Sequence, residues 1–487
     1  MQIFLYLCAV FGQNRYMLHH TDIQNIFFLG VGGIGMSALA RYFHHLGYAV
    51  AGYDRTQSPL TLELEKEGIA ITYNDDPSIF NSQFSLYNAK HTLVVRTPAV
   101  PEDSAVYTYL RDMNYDIRKR AEVLGMVTHS KKALCVAGTH GKTTTSTMLA
   151  HLLYQSEIGT SAFLGGISMN YDTNILLQKD SSYVVVEADE YDRSFHQLTP
   201  YMSVVTAVDA DHLDIYGTEE AYREAFAHYT SLITGALVMK HGIALQPNLK
   251  KGVKCYTYGV IENEKPNGER LPDFYADNIR VKKGQIYFDF HIDIPSTTTT
   301  VIPDLKLGVP VWVNIENAVA AMAVAWLNGV SVEELRNGIA SFRGVWRRFN
   351  IHLNTPQLVY IDDYAHHPEE IATAIDSVRK LYPERKLIGV FQPHLYTRTR
   401  DFAADFARVL GTLDECVLLP IYPAREEPIP GVTSEMLGGR VVEKKDLIPT
   451  LKELIAGSQQ PVALLTVGAG DIDRLVPVIK KELQNKA

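Results

Sequence analysis

Cysteine is scarce in this chain. There are four in 487 residues, Cys8, Cys135, Cys255 and Cys416, and no two form a CxxC pair. That scatter excludes a cysteine-built zinc cluster and fits a reducing, cytoplasmic setting. A basic excess is also missing: 46 Lys and Arg face 55 Asp and Glu, for a formal net charge of −9. A general nucleic-acid binder usually carries a strong basic surplus, so no nucleic-acid partner is expected. Long apolar runs are absent too. Met1 to Phe11 is mostly apolar, but it is too short to span a bilayer. It has no preceding basic residue and no following small-residue cleavage site, so neither a membrane partner nor a signal peptide is expected. Residues 1–16 read instead as an appendage ahead of Met17, left by a mis-assigned start. No fixed-period repeat is visible.

What is present suits an ordinary globular protein: 46% apolar and 21% charged residues. The length allows about three domains of ~150 residues each. The most informative stretch is Ala133 to Thr145, ALCVAGTHGKTTT. Ala133 to Val136 suits a buried strand, and Met148, Leu149, Leu152 and Leu153 form a helical stripe. Between them lie Gly138, Thr139, His140 and Gly141, then Lys142, Thr143 and Thr144. Strand, glycine loop, Lys-Thr and helix is the layout of a phosphate cradle. Glycines let backbone N–H groups approach phosphate oxygens, and the helix N-terminus adds a favourable dipole. Lys142 can reach the β- and γ-phosphates of ATP, and the Thr143 hydroxyl can hold Mg²⁺. A strict GxxxxGK[ST] pattern needs glycine at 136, where this chain has Val136.

A second loop lies upstream. Gly30, Gly32 and Gly35 match GxGxxG in full, and Asp54 follows Gly35 by 19 residues. That is near the spacing at which an acid meets a ribose hydroxyl. Alone, this unit reads as NAD-binding, and an NAD-dependent dehydrogenase is the serious rival. The loop is only a diphosphate cradle, however, and a UDP-sugar also carries two phosphates and a ribose. Hydride transfer needs no γ-phosphate clamp, so one loop for a UDP-linked substrate and one for ATP is the more economical account.

Strands and helices alternate along the chain, which implies mainly parallel sheets covered on both faces. The expected fold is α/β in three domains. Residues 1–130 form a Rossmann-like domain. Residues 131–343 form a central P-loop ATP-binding domain, and 344–487 a second Rossmann-like domain. Acids at the C-terminal ends of buried strands lie where ligands bind in such sheets. Glu187 ends the strand Tyr183 to Val186, and His212 follows the strand Ser203 to Val208. With Thr143 they are the candidate metal ligands, for Mg²⁺ or alternatively Mn²⁺. Asp189, Glu190, Asp209, Asp211 and Asp214 crowd the same region and read mostly as supporting or solvated acids. In the last domain, DDYAHHP (362–368) and QPHLYTRTR (392–400) each follow a strand. They offer Arg and His to a carboxylate-bearing substrate.

At this point the chain resembles one family, the Mur ligases of peptidoglycan synthesis, in its alanine-adding branch. The carrying segments are GVGGIGMSALA (30–40), GTHGKTTT (138–145), EADE (187–190), DHLD (211–214), NIENAVAA (314–321), RRF (347–349), DDYAHHP (362–368) and FQPHLYTRT (391–399). The resemblance implies ATP-dependent ligation of L-alanine to the lactyl carboxylate of UDP-N-acetylmuramate (UDP-MurNAc). It implies Gly32, Gly33 and Gly35 for the UDP-sugar. ATP would meet Asn314, Asn317, Arg348 and Asp363 besides the Lys142 loop. Tyr364, His366 and Arg398 would lie near the amino acid. Lys142, Arg348 and His212 would be catalytic, with His212 or His366 as general base. Three departures stand out. Trp312-Val313 replaces a common Arg-His, and Leu395 replaces a common arginine, for which Arg400 is the available substitute. The helix after DHLD offers no lysine at 222–226, as expected of the alanine-adding branch. A tripeptide-recycling ligase of the same family and a non-catalytic nucleotide-binding regulator are the remaining alternatives.

Overall fold

The structure is a computed structural model and describes residues 23–209, 213–261, 270–295, 297–424 and 426–484. The expected appendage 1–16 and Met17 lie outside them.

The first sheet contains β1 (Asn25–Leu29), β2 (Ala49–Tyr53), β3 (Ala70–Thr72), β4 (Thr92–Arg96) and β5 (Asp116–Lys119), in the order β3-β2-β1-β4-β5. Every pairing is parallel. The continuous apolar run in β1 is explained by burial of both faces. Ile26 and Phe28 enter one apolar cluster, and Phe27 and Leu29 enter another on the opposite side. Connections leave β1 in one direction to β2 and return to β4 on the other side. That reversal opens a crevice at the C-terminal end of β1, where the glycine loop sits.

The second sheet has ten strands. They are β6 (Lys132–Ala137), β7 (Ser161–Ser168), β8 (Thr173–Leu176), β9 (Tyr183–Glu187), β10 (Pro200–Val205), β11 (Ala236–Lys240), β12 (Lys254–Val260), β13 (Phe274–Lys282), β14 (Gln285–Ile292) and β15 (Thr300–Lys306). Their order is β15-β14-β13-β12-β11-β10-β6-β9-β7-β8. The strands around β6 pair in parallel, and β8 joins antiparallel at one edge. The strand expected to run to Val208 stops at Val205. Thr206 follows, with its N–H and its hydroxyl both bonded to the Ala137 carbonyl.

The third sheet holds β16 (Asn350–Asn354), β17 (Leu358–Asp363), β18 (Lys386–Phe391), β19 (Glu415–Leu418), β20 (Arg440–Val441) and β21 (Val462–Val467), in the order β16-β17-β21-β18-β19-β20. All pairings are parallel except that of β16 with β17.

The chain divides into two compact units. One is Met1–Asp277 with Phe290–Pro303 and Asn317–Ser341; the other is Asn278–Asp289 with Asp304–Glu316 and Phe342–Ala487. The first unit therefore holds most of two of the expected domains. The physical reason is a shared core: Tyr42 from the first sheet's leading helix packs on Phe163 of β7, with ring centroids 5.1 Å apart. Beside it, the buried Arg41 donates to Asn174 Oδ1 at 2.8 Å.

Candidate active site

The loop after β6 is shaped by its glycines. Gly138 has φ +132°, and a Cβ there would lie 2.1 Å from Thr206 Oγ1. Gly141 has φ +79° and stands at the N-cap of the helix Lys142–Tyr154, where no side chain caps the first turn. The first-turn N–H groups therefore face outward for an anion. Thr139 Oγ1 donates to the Asp209 carbonyl at 2.8 Å. Asn317 reaches the loop: its Oδ1 accepts from Thr145 Oγ1 at 3.1 Å and would stand 2.9 Å from a Cβ on Gly141. Asn314 lies in the other unit, its side chain turned to the Val309 carbonyl.

Lys142 bends back over this loop. Its Nζ donates to the Gly138 carbonyl at 2.8 Å and to Glu190 Oε1 at 2.7 Å. The Glu190 side chain is 1% exposed. Burial pushes its carboxyl up to about 7, against the opposing pull of Lys142. By sequence alone Glu190 reads as one of a group of mostly supporting or solvated acids. The structure buries it against the lysine instead.

Glu187 ends β9, next to β6, with Val136 and Glu187 in register. It therefore sits at the sheet edge from which the Lys142 loop springs. Gly165 of β7 makes room for it, since a Cβ there would lie 2.0 Å from Glu187 Oε2. Glu187 lines a cavity of about 220 Å³ together with Asp189, Gly35, Ile34, Phe163 and Arg120. Arg120 belongs to none of the sequence motifs. Its guanidinium stands 3.7 Å from Asp189 and 3.0 Å from where a Cβ on Gly35 would be. The cavity thus joins the first glycine loop to the Glu187 carboxylate.

In that first loop, Asp54 Oδ2 accepts the Gly32 N–H at 2.8 Å, and Oδ1 accepts the Thr56 N–H at 3.1 Å. Asp54 braces the loop, a role that ribose spacing did not suggest. A Cβ on Gly32 would meet Thr61 and Asp54 at 2.8 and 2.9 Å, whereas one on Gly33 meets nothing within 3.8 Å. Gly32 is needed for packing, and Gly33 leaves the loop's surface open.

The second unit gathers its own cluster. Arg347 and Arg348 both stack on Tyr364, 5.4 and 5.3 Å from the ring centroid. Tyr364 in turn meets His366 at 5.2 Å. Asp363 accepts the N–H groups of Phe349 at 2.8 Å and Ala365 at 2.7 Å, and burial raises its pKa to about 6. His366 is pushed downward by burial and by the nearby charges of Arg398 and Arg348, against the pull of Glu370. Its Nδ1 lies 3.1 Å from the Tyr364 carbonyl, an acceptor only, so Nδ1 carries the hydrogen and Nε2 keeps its lone pair. Leu395 adopts φ +71° at the start of the helix Tyr396–Asp401. Arg400 pairs with its exposed neighbour Asp401 at 2.7 Å.

The donor set suits a hard cation. Thr143 and Glu187 offer oxygen, and Mg²⁺ takes one or two carboxylates plus nucleotide phosphates. Among the described residues no three His, Cys, Asp or Glu side chains form a metal-holding group. The third candidate ligand, His212, lies outside the described residues, as does Asp211.

Two glycine loops at the strand ends of mostly parallel sheets, one of them bearing Lys-Thr, are the layout of a nucleotide-dependent α/β enzyme. Family models match along nearly the whole chain. They are described as "Mur ligase family, catalytic domain" (25–132), "Mur ligase middle domain" (136–325) and "Mur ligase, glutamate ligase domain" (347–470). The chain belongs to the Mur ligase family. It is 55% identical to the UDP-N-acetylmuramate–L-alanine ligase of Parabacteroides distasonis, over 95% of this chain and 98% of that one. It is 51% identical to the enzyme of the same name from Porphyromonas gingivalis, over 95% and 99%. Among solved structures, the UDP-N-acetylmuramate-alanine ligase of Thermotoga maritima superposes with a TM-score of 0.75 at 26% identity, covering 95% of this chain and all of that one. A murein peptide ligase from Psychrobacter arcticus shares the fold at TM-score 0.63 and 23% identity, covering 95% and 99%.

Proposed function

We propose that this chain joins L-alanine to the lactyl carboxylate of UDP-MurNAc, consuming ATP and giving UDP-MurNAc-L-alanine, ADP and phosphate. This is a step in building peptidoglycan precursors. The observation that carries the reading is identity above 50%, over nearly the full length, to enzymes named for that reaction. The site chemistry agrees with it. A carboxylate oxygen is a poor leaving group, so amide synthesis needs activation. The lactyl carboxylate attacks the γ-phosphorus of ATP and ADP leaves, giving an acyl phosphate. The neutral amine of alanine then attacks the acyl carbon, and phosphate departs as the amide forms.

Three domains divide this work, with boundaries at 130/131 and 343/344. The loop Gly138–Thr144 cradles ATP, with Asn317, bonded to Thr145, beside it as a further nucleotide contact. Lys142 and Arg348 offset the charge that gathers on the transferring phosphoryl group. Asn314 and Asp363 complete the nucleotide contacts. Thr143, Glu187 and His212 would hold Mg²⁺, which supplies Lewis-acid neutralisation of phosphate charge when bound. Tyr364, His366 and Arg398 receive alanine. His366 is the described candidate for general base, because burial keeps it neutral and Nε2 keeps its lone pair.

Gly32, Gly33 and Gly35, braced by Asp54, receive the diphosphate of the sugar nucleotide. Arg120 lines the cavity beside Gly35, where it can pair with that anion. Replacing Arg120 with Ala should raise KM for UDP-MurNAc about tenfold, with KM for ATP nearly unchanged. Equal effects on both constants would remove Arg120 from the sugar site. Ligand-induced stabilisation separates this reading from the dehydrogenase. UDP-MurNAc should raise the melting temperature by mass action, and NAD should leave it where it is. Saturable NAD binding at micromolar concentration would reinstate the dehydrogenase.

A further inference from the structure

A lysine ammonium has three N–H donors. Lys142 spends two of them inside the protein, on the Gly138 carbonyl at 2.8 Å and on Glu190 Oε1 at 2.7 Å. The third has only a long contact, 3.4 Å to the Thr139 carbonyl. Both short partners are rigidly placed. Gly138 is locked by Thr206, with no space for a Cβ. Glu190 is buried to 1% exposure, and its own carbonyl accepts the Tyr216 hydroxyl at 2.5 Å. Tyr216 is itself buried and packs edge-on against Tyr222. Glu190 Oε2 is also buried, with no hydrogen-bond partner among the described residues. Among the described residues, Lys142 is the side-chain hydrogen-bond partner of this deep carboxylate. From this geometry we infer that Glu190 is a positioning residue for Lys142. It pins two ammonium donors against the floor of the loop, so that the third is aimed outward at a phosphate oxygen.

The inference rests on the reading of the Lys142 loop as the ATP site. Its consequence is that phosphate recognition needs no rearrangement of the lysine. The ammonium keeps Gly138 and Glu190 and adds a phosphate. Without Glu190, the four-carbon stem is free to rotate, and the donors lose their direction. A shorter acid keeps the charge but not the reach, so Glu190→Asp should recover little.

A double-mutant cycle on affinity tests this. Binding of a non-hydrolysable ATP analogue is measured by calorimetry for the wild type, Glu190→Gln, Lys142→Met and the double variant, with UDP-MurNAc binding as the check on folding. Glu190→Gln should weaken the analogue about tenfold or more, leaving UDP-MurNAc within twofold. On the Lys142→Met background the same change should add nothing, because its target is gone. In the double variant neither charge is left buried alone, so it keeps the cycle readable if Glu190→Gln folds poorly: the double variant should then match Lys142→Met. An additive loss in the double variant, or wild-type affinity in Glu190→Gln, would overturn the inference. Unchanged affinity in Lys142→Met would instead overturn the ATP assignment itself.

Discussion

Lys142→Ala should abolish ligation while UDP-MurNAc still binds. On the proposed function the two ligands use different loops, so removing the ammonium strips charge from the phosphoryl-transfer site alone. A fall in kcat of about 10³-fold or more is expected, equivalent to about 4 kcal/mol of transition-state stabilisation. The substitution also removes the partner of the buried Glu190. Lys142 pulls the pKa of that carboxyl downward, so its loss lets burial raise the pKa beyond about 7. A raised acid contributes stability that is present below its unfolded pKa and lost as pH rises through the folded value. The variant must keep Glu190 protonated where the wild type holds an ion pair. Its loss in melting temperature should therefore be larger at pH 8 than at pH 6. Near-normal turnover, or a stability loss that shrinks with rising pH, would contradict this placement of Lys142.

Gly165→Ala should lower kcat about 10- to 100-fold without unfolding the protein. The added Cβ would lie 2.0 Å from Glu187 Oε2, 2.7 Å from Cδ and 3.0 Å from Oε1. Those atoms are the far end of a flexible side chain, so the carboxylate swings aside and β7 keeps its place. A carboxylate moved off the strand end no longer presents its oxygens beside the Lys142 loop. If Glu187 holds Mg²⁺, the variant should need more Mg²⁺ for half-maximal rate and should recover partly at high Mg²⁺. A normal rate with normal Mg²⁺ dependence would show that Glu187 does not hold the ion.

Much of this site can be read from local pattern. The run Ile26 to Leu29 is apolar because both faces of β1 are buried, and the periodic stripe after Lys142 does become the helix Lys142–Tyr154. Glycine spacing located both loops for the same reason: a positive φ or a close contact leaves no other residue type. What local pattern does not carry is which polar partner is brought in from afar. Glu190 is one acid among five nearby, and its burial against Lys142 depends on a contact 48 positions away. Arg120 looks like a surface arginine until the first sheet's glycine loop packs beside it. Asp54 follows the expected spacing, yet its carboxylate is directed at the Gly32 N–H. Thr206 is a polar residue just past the end of a strand, and its hydroxyl bonds the carbonyls of Ala137 and His140 in the glycine loop, 69 and 66 positions away.

The most direct test of the central claim is ADP release in the presence of UDP-MurNAc, ATP and Mg²⁺, compared across L-alanine, glycine, L-serine and the cell-wall tripeptide. Release should depend on both UDP-MurNAc and an amino acid, with the highest kcat/KM for L-alanine and formation of UDP-MurNAc-L-alanine. Release driven by the tripeptide in preference to alanine, or none that depends on any added amine, would contradict it.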